Sequence, residues 1–498
     1  MKLFIFISFI LLYLNLFSDW NEMQKLLASD GAEYDWFGCS VSISGDYAVI
    51  GAYGDEDNGQ SSGSAYIFRN FGNQTWIEHE KLIASDGTPS DYFGKSVSIS
   101  GDFVVVGASG TSDNGVCSGS VYIFYNNGSF WTELFKITPS DASEGDCFGR
   151  SVCIDGNYLI VASLLDDDNG HHSGSAYIFH WDGTTWSEQD KLLASDGTED
   201  DFFGCSVSIS GDYAIIGAQN DDDNGENSGS VYVFQREETT WFQQTKLTAV
   251  DGAENDCFGF SVSISGNYTV VGAPYDDDNE SGSGSAYIFI RTGTNWFQYA
   301  KLLASDGAHL DFFGCSVSIS GNYAVIGAYG DDDNDITSGS AYVFYKEGTT
   351  WSQQVKLNAS DGAIYDHFGN SVCISDNNAV IGAYRDSDYG TDSGSAYIFH
   401  NDAVSVEDEN IQYSIDNLQL SNFPNPFNQE TTIKYNIKKN GNALLTIYNI
   451  KGQEITSIQC ETGSQTFHWN AENFPSGIYL YKLQSSNLSQ TRKMILLK

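Results

Sequence analysis

The chain has 498 residues, 66 of them Asp or Glu and 23 Lys or Arg, for a formal charge of −43 at pH 7. Phosphate backbones and anionic lipid surfaces are gripped by clustered cations, so this balance excludes nucleic acid and anionic membrane surfaces as partners. Hydrophobic residues make up 41% and aromatics 14%, which excludes global disorder, and 51 Gly against 3 Met favours short strands and turns.

The N-terminus reads Met1, Lys2, then an apolar run from Leu3 to Leu14 broken only by Ser8. A cation followed by about a dozen apolar residues is a secretory signal pattern, too short to span a bilayer. We assign residues 1–18 to a signal peptide and expect no membrane span after its removal. Nine cysteines in an exported chain raise the question of a disulfide framework. They fall at matching repeat positions (Cys39, Cys205 and Cys315; Cys147 and Cys257; Cys153 and Cys373) with unrelated residues at the equivalent sites elsewhere. That placement predicts free thiols acting as small hydrophobes.

Residues 19–403 are dominated by internal repetition. Phe-Gly recurs at Phe37, Phe93, Phe148, Phe203, Phe258, Phe313 and Phe368, spaced by 56 and then repeatedly by 55 residues. Each unit offers four strand candidates. The first alternates Ser with Val or Ile, and the second is almost wholly apolar, as in Ala48 to Ala52. Gly-Asp or Gly-Asn between them suits a two-residue hairpin turn, with Asp376-Asn377 in the seventh unit. The seventh unit ends at Tyr397-Ile398-Phe399 without the Trp-x4-Lys strand that closes the others, and that strand stands ahead of the first unit as Trp20 to Lys25. The N-terminal strand therefore completes the last blade. The expected fold is all-β, a seven-bladed β-propeller closed by that strand, followed by a small immunoglobulin-like β-sandwich.

Phe-Gly followed by Val-Ile-Gly-Ala, with Gly-Ala-Pro itself at Gly272 to Pro274, resembles the FG-GAP repeat of integrin α-subunit propellers. The bacterial FG-GAP proteins whose units carry an Asp-Asp-Asp-Asn-Gly loop are more similar still. The resemblance implies an extracellular binding or adhesion propeller. Integrin-type repeats often hold calcium between strands one and two, where this chain has only the short Gly-Asp or Gly-Asn turn, so that site does not carry over.

From Ala403 onward basic and acidic residues balance at 8 each, so all the net charge belongs to the repeats. Every unit has an Asp in a Ser-Asp-Gly-like turn (Asp30 in the first), another two residues before the Phe (Asp35) and a third in the acidic loop (Asp57). A fourth, such as Asp55, precedes the third by two residues in six units, Thr111 being the exception. Up-and-down connectivity puts the acidic loop and the inter-blade turn on one face. Three readings stand: turn capping and solubility, an acidic docking face, or calcium sites. For calcium the fullest loops offer Asp166, Asp168, Asp221, Asp223, Asp276, Asp278, Asp331 and Asp333, and no cofactor other than calcium is expected. No HExxH, G-x-S-x-G, P-loop or Cys-x2-Cys motif is present. His171-His172, beside Asp166 to Asp168, is the one local cluster of metal-like composition, and adjacent histidines on a loop are more often solvated. Seven near-identical units do not make one specialised cleft, so no catalytic residue is assigned.

Residues 404–420 read as a linker and 421–498 as a second domain with alternating strands. Asn422 to Asn428, the Lys451-Gly452 turn and the block from Ser476 to Leu483 closely resemble the C-terminal sorting domain of the type IX secretion system. Its motif positions here are Pro424, Asn425, Pro426, Gly452, Gly477, Tyr479 and Lys493. The resemblance implies the type IX machinery as partner, and export to the medium or the outer-membrane surface of a Gram-negative bacterium. The sequence thus predicts a non-enzymatic binding or adhesion propeller with an extracellular protein or glycan ligand. The alternatives are a structural spacer and a carbohydrate-active enzyme using the acidic face.

Overall fold

The computed structural model describes residues 20–72, 75–402, 418–423, 425, 427–437, 443–449, 453–460, 463–485 and 488–497. The expected signal peptide and the expected linker as far as residue 417 lie outside the described residues. The chain divides into two compact units between Asp402 and Ala403. Among the described residues every regular element is a strand.

In the first unit each repeat forms one four-stranded sheet whose consecutive strands are hydrogen-bonded neighbours. The first sheet comprises Ser40–Ser44, Tyr47–Ala52, Ser64–Asn70 and Trp76–Leu82. Its second strand is buried from Ala48 to Ala52, which is why that segment carries no polar side chain. The turn before it uses Gly45 at φ +57°, and Asp376 takes the same conformation in the seventh repeat at φ +53°.

The apolar interior is seven clusters, each between two adjacent sheets. One holds Val49 and Ile67 of the first sheet with Phe93 and Val106 of the second. Another holds Val380 and Ile398 of the seventh with Phe37 and Ile50 of the first. The fourth strand of the seventh sheet is Trp20–Leu26, antiparallel to Ser395–Asn401, with Trp20 opposite Asn401 and Leu26 opposite Ala396. The circuit of sheets is therefore closed on itself, a propeller-like arrangement with its last edge strand covered.

The first strands of the sheets are innermost and bond one to the next. Ser40 Oγ donates to the Gly94 carbonyl at 2.8 Å, and Ile99 N donates to Ser42 Oγ at 3.2 Å. Across the closure Ser371 Oγ donates to the Gly38 carbonyl at 2.8 Å. The alternating serines are thus the face on which neighbouring inner strands meet. Contact is close enough that a Cβ on Gly51 would lie 2.0 Å from the Gly94 carbonyl oxygen. The third repeat has Ala162 at this position, and there Ser151 Oγ accepts from Val207 N instead.

A second set of ties joins the outer strands. Glu78 accepts from Ser29 N at 2.8 Å and Ser29 Oγ at 2.7 Å, reaching the chain that leaves the seventh sheet. The acceptor two residues after each Trp is Glu or Gln throughout, as in Gln243 with Ser195 N and Gln353 with Ser305 N. Glu22 with Ser360 N and Oγ, at 2.9 and 2.8 Å, completes the circle.

The second unit has a three-stranded sheet (Leu418–Phe423, Glu430–Ile437, Gly463–Asn470) and a four-stranded one (Glu454–Cys460, Ala443–Asn449, Gly477–Ser485, Leu488–Leu496). Both feed one core that includes Ile433, Trp469, Ile447 and Tyr481. Two strands differ from the sequence reading. Leu418–Phe423 begins inside the expected linker, and Gly463–Asn470 is a strand between the blocks that carry the resemblance, with Trp469 buried in the core and Phe467 packed against it.

Candidate functional site

The acidic loops converge on a lysine. In the first sheet Lys81, from the outermost strand, sits 2.7 Å from Asp30, 2.9 Å from Asp55 and 2.7 Å from Asp57. Tyr66, from the third strand, donates its hydroxyl to both Asp30 and Asp55 at 2.9 Å and lies under the ammonium, 5.2 Å from ring centroid to Nζ. Phe37 of the Phe-Gly pair is fully buried and meets Tyr66 edge-on at 5.3 Å. The signature Phe therefore props the Tyr that orients two carboxylates. Gly38 follows because a Cβ there would lie 2.2 Å from the Ser395 carbonyl oxygen of the neighbouring sheet.

The three carboxylates have different environments. Asp55 is buried, whereas the side chains of Asp30 and Asp57 are about half exposed. Partial burial of Asp30 opposes its ionisation, but Lys81 and the Tyr66 hydroxyl outweigh it and hold the carboxyl below the usual range. Burial likewise opposes charge on Lys81, and its three carboxylate partners outweigh that and raise its pKa. The remaining repeat-wide aspartate is no part of the cluster. Asp35 accepts from Ala32 N at 2.6 Å as a turn cap, and burial pushes its carboxyl up to about 6 despite that bond.

All eight aspartates expected as calcium ligands occupy these clusters. Asp166 and Asp168 flank Lys191 at 2.9 and 2.7 Å, and Asp221 and Asp223 flank Lys246 at 2.7 Å each. Asp276 and Asp278 lie 2.9 and 2.5 Å from Lys301, and Asp331 and Asp333 lie 2.8 and 2.5 Å from Lys356. Of the eight, Asp331 and Asp333 bring donor oxygens close enough to share a cation, with Asp306, as do Asp30, Asp55 and Asp57 in the first repeat and Asp361, Asp386 and Asp388 in the seventh. A lysine of the same chain supplies one. In the second repeat Thr111 donates to Ser120 Oγ at 2.7 Å, and Lys136 keeps Asp86 and Asp113. His171 and His172 turn to Asp200, at 3.5 and 3.2 Å, rather than to the neighbouring acidic loop side chains. The nine cysteines are free thiols, Cys315 and Cys460 buried.

Inward of the clusters, at the same edge of the sheets, the repeats diverge. The residue between Asp and Phe-Gly is Trp36, Tyr92, Phe202, Phe312 or His367 in five repeats and Cys in two. Phe202 lies against His172, and the other four aromatic side chains meet rings from just past the second strand. Trp36 and Tyr53 have centroids 4.8 Å apart and Tyr53 and Tyr92 6.0 Å. On the other side Phe312 stacks on Tyr329 at 5.1 Å, and Tyr329 on His367 at 5.2 Å. A pocket of about 370 Å³ opens between Trp36, Tyr53 and Tyr92, with Lys95 and Arg150 in its wall. Lys95 Nζ stands 3.8 Å from the Tyr53 centroid. Neither Lys95 nor Arg150 pairs with a carboxylate among the described residues. Burial, reinforced by Arg150, pushes the Lys95 ammonium down to about 8.

In the second unit, Asn425 accepts from Ile495 N at 2.9 Å and donates to the Lys493 carbonyl at 3.1 Å. Tyr479 donates to the Pro475 carbonyl at 2.8 Å and packs edge-on against Trp469 at 5.1 Å. Gly477 opens the strand that carries Tyr479. Pro424, Pro426 and Gly452 lie outside the described residues.

Comparison with known proteins agrees with both halves. The FG-GAP repeat matches seven times, over residues 20–68, 76–124, 131–179, 186–234, 241–289, 296–344 and 351–399. The secretion system C-terminal sorting domain matches residues 421–497. No curated protein matches the chain. Among solved structures, a fungal alcohol oxidase of the AA5 family in complex with copper is similar at 9% identity and a TM-score of 0.46, over 97% of this chain and 100% of that one. The sorting domain marks the protein for secretion or surface attachment through the type IX system. The seven matched repeats cover well over half the chain, which belongs to the FG-GAP repeat family.

Proposed function

We propose that this chain is an exported, non-enzymatic binding protein: a closed seven-bladed propeller displayed on, or released from, the surface of a Gram-negative bacterium. An immunoglobulin-like sorting domain at 421–498 delivers it. The observation that carries the binding role is the contrast within each repeat. Phe, Tyr and Lys of the framework recur in all seven units, whereas the inner mouth holds Trp36, Tyr92, Phe202, Phe312 and His367 at one repeat position. A spacer has no use for such divergence around one opening, and a ligand does. Catalysis fits less well. The clustered carboxylates are held by lysine and tyrosine, and the raised Asp35-type carboxyls cap the equivalent turn in every repeat. Calcium enters this reading as a competitor of the lysines for Asp166 and Asp168 and the equivalent pairs.

Two experiments test the reading. Deleting 421–498 in a bacterium with a type IX system should leave the protein in the periplasm, and surface recovery of the truncated form would remove the sorting role. The full chain should show saturable binding to a surface glycan or protein that Trp36→Ala abolishes. Binding to none, with Trp36→Ala indistinguishable from the parent, would return the chain to a spacer.

A further inference from the structure

The pocket at Trp36, Tyr53 and Tyr92 has a character opposite to the molecule around it. The chain carries −43, and its recurrent lysines are consumed by aspartate clusters. Lys95 and Arg150 are not. They stand at the position after Phe-Gly, which elsewhere is Cys39, Cys205, Phe260, Cys315 or Asn370. Only the second and third repeats, which are neighbours, place cations there. Both line a single pocket, together with the aromatic Trp36, Tyr53 and Tyr92 and with small side chains that include Cys117 and Cys147.

A half-buried lysine lying against a tyrosine face gives up part of its hydration. An anion that enters recovers that loss, and an arginine beside it offers a planar fork matched to a carboxylate. Trp36 and Tyr92 are half-buried and have ring surface left to cover. Such faces pack against the C–H face of a pyranose ring while its hydroxyls stay in water. The volume of about 370 Å³ suits one or two sugar residues. The overall negative field disfavours diffuse attraction of polyanions, so selection must come from short-range pairing inside the pocket.

We propose that this pocket binds a carboxylated sugar, a uronic acid within a glycan, with the ring against Trp36 and Tyr92 and the carboxylate between Lys95 and Arg150. The assignment rests on the binding reading above and names its ligand class. The test is calorimetric titration of the full chain with tetragalacturonate, with cellotetraose as the neutral counterpart and inorganic sulfate as a bare anion. Tetragalacturonate should bind, cellotetraose should bind at least tenfold more weakly, and sulfate alone should not compete at equal concentration. Lys95→Gln and Arg150→Gln should each weaken tetragalacturonate about tenfold or more, the loss of one charge-assisted contact, with an unchanged melting midpoint. Equal binding of the neutral sugar, competition by sulfate alone, or insensitivity to both variants overturns the assignment. If tetragalacturonate fails while Trp36→Ala still abolishes attachment to a natural surface, the ligand class is wrong and the binding role stands. If Trp36→Ala changes no attachment at all, the binding role fails with it.

Discussion

Lys25 Nζ lies 2.8 Å from Asp386 Oδ2, and 361 residues of chain separate them. The strand that completes the seventh sheet thus also brings the cation for that sheet's carboxylates, Asp361, Asp386 and Asp388. Closure of the circuit and neutralisation of its last acidic cluster are one event.

Lys25→Met should therefore cost more than lost packing. It strands the buried Asp386 carboxylate, and breaking such a pair is worth about 3–5 kcal/mol. Adding Asp386→Asn should recover part of the loss. Urea midpoints of the two variants and the parent measure both effects.

The lysines also set the response to calcium. Parent protein should melt at the same temperature in millimolar calcium and in chelator, because the Lys356 ammonium already lies within 2.9 Å of Asp306, Asp331 and Asp333. Lys356→Met leaves three carboxylates around a vacated cation position. Its midpoint should rise with calcium and not with magnesium, which demands tighter octahedral geometry. A calcium-dependent rise in the parent would mean that the ion displaces the lysines.

Acid should first stabilise the protein and then unfold it. Burial raises the turn-capping carboxyls, with Asp35, Asp146, Asp256, Asp311 and Asp366 reaching about 6 and Asp91 and Asp201 shifted the same way. A raised carboxyl binds more protons folded than unfolded, so its stabilisation is full below its unfolded pKa and fades as pH rises through about 6. Cluster residues such as Asp30 and Asp141 are shifted down, and their contribution is lost as pH falls below the ordinary range. The melting midpoint should peak between about pH 4 and 6. A midpoint that climbs steadily from pH 5 to 8 contradicts this assignment.

Gly327→Ala should destabilise by about 3 kcal/mol, since its Cβ would lie 1.9 Å from the Gly369 carbonyl oxygen. Ala162→Gly, at the one repeat built around a methyl group, should stay within about 1 kcal/mol of the parent. Denaturant titration of both variants compares the two contacts directly.

Much of this was legible in the sequence because repetition multiplies a weak signal by seven. The Phe-Gly spacing, the apolar second strand and the displaced Trp20 strand lead to the observed sheets without further information. The fate of the acidic loops was not legible, although Trp-x4-Lys recurs as often as the loops do. Which carboxylates reach Lys81 depends on Asp30, from the preceding connection, and Asp55, from the next loop but one, meeting over the same Tyr66. Such convergence is tertiary. The outer ties were missed for a plainer reason. Glu or Gln stands two residues after the outer-strand Trp of every repeat, and a polar residue on an outer strand looks like ordinary surface until Ser29 is seen opposite Glu78.

The pairing of Trp20 with Asn401 also sets an order of assembly. The segment first to emerge has its partner strand almost at the end of the repeats, so it must wait unpaired while every intervening sheet is made. Contacts that join distant parts of a chain form slowly, because the intervening loop has to be closed first. Six sheets can mature one after another, each on the surface of the last. The seventh stays open-edged until the whole array has arrived, which makes its completion a natural checkpoint for the intact molecule.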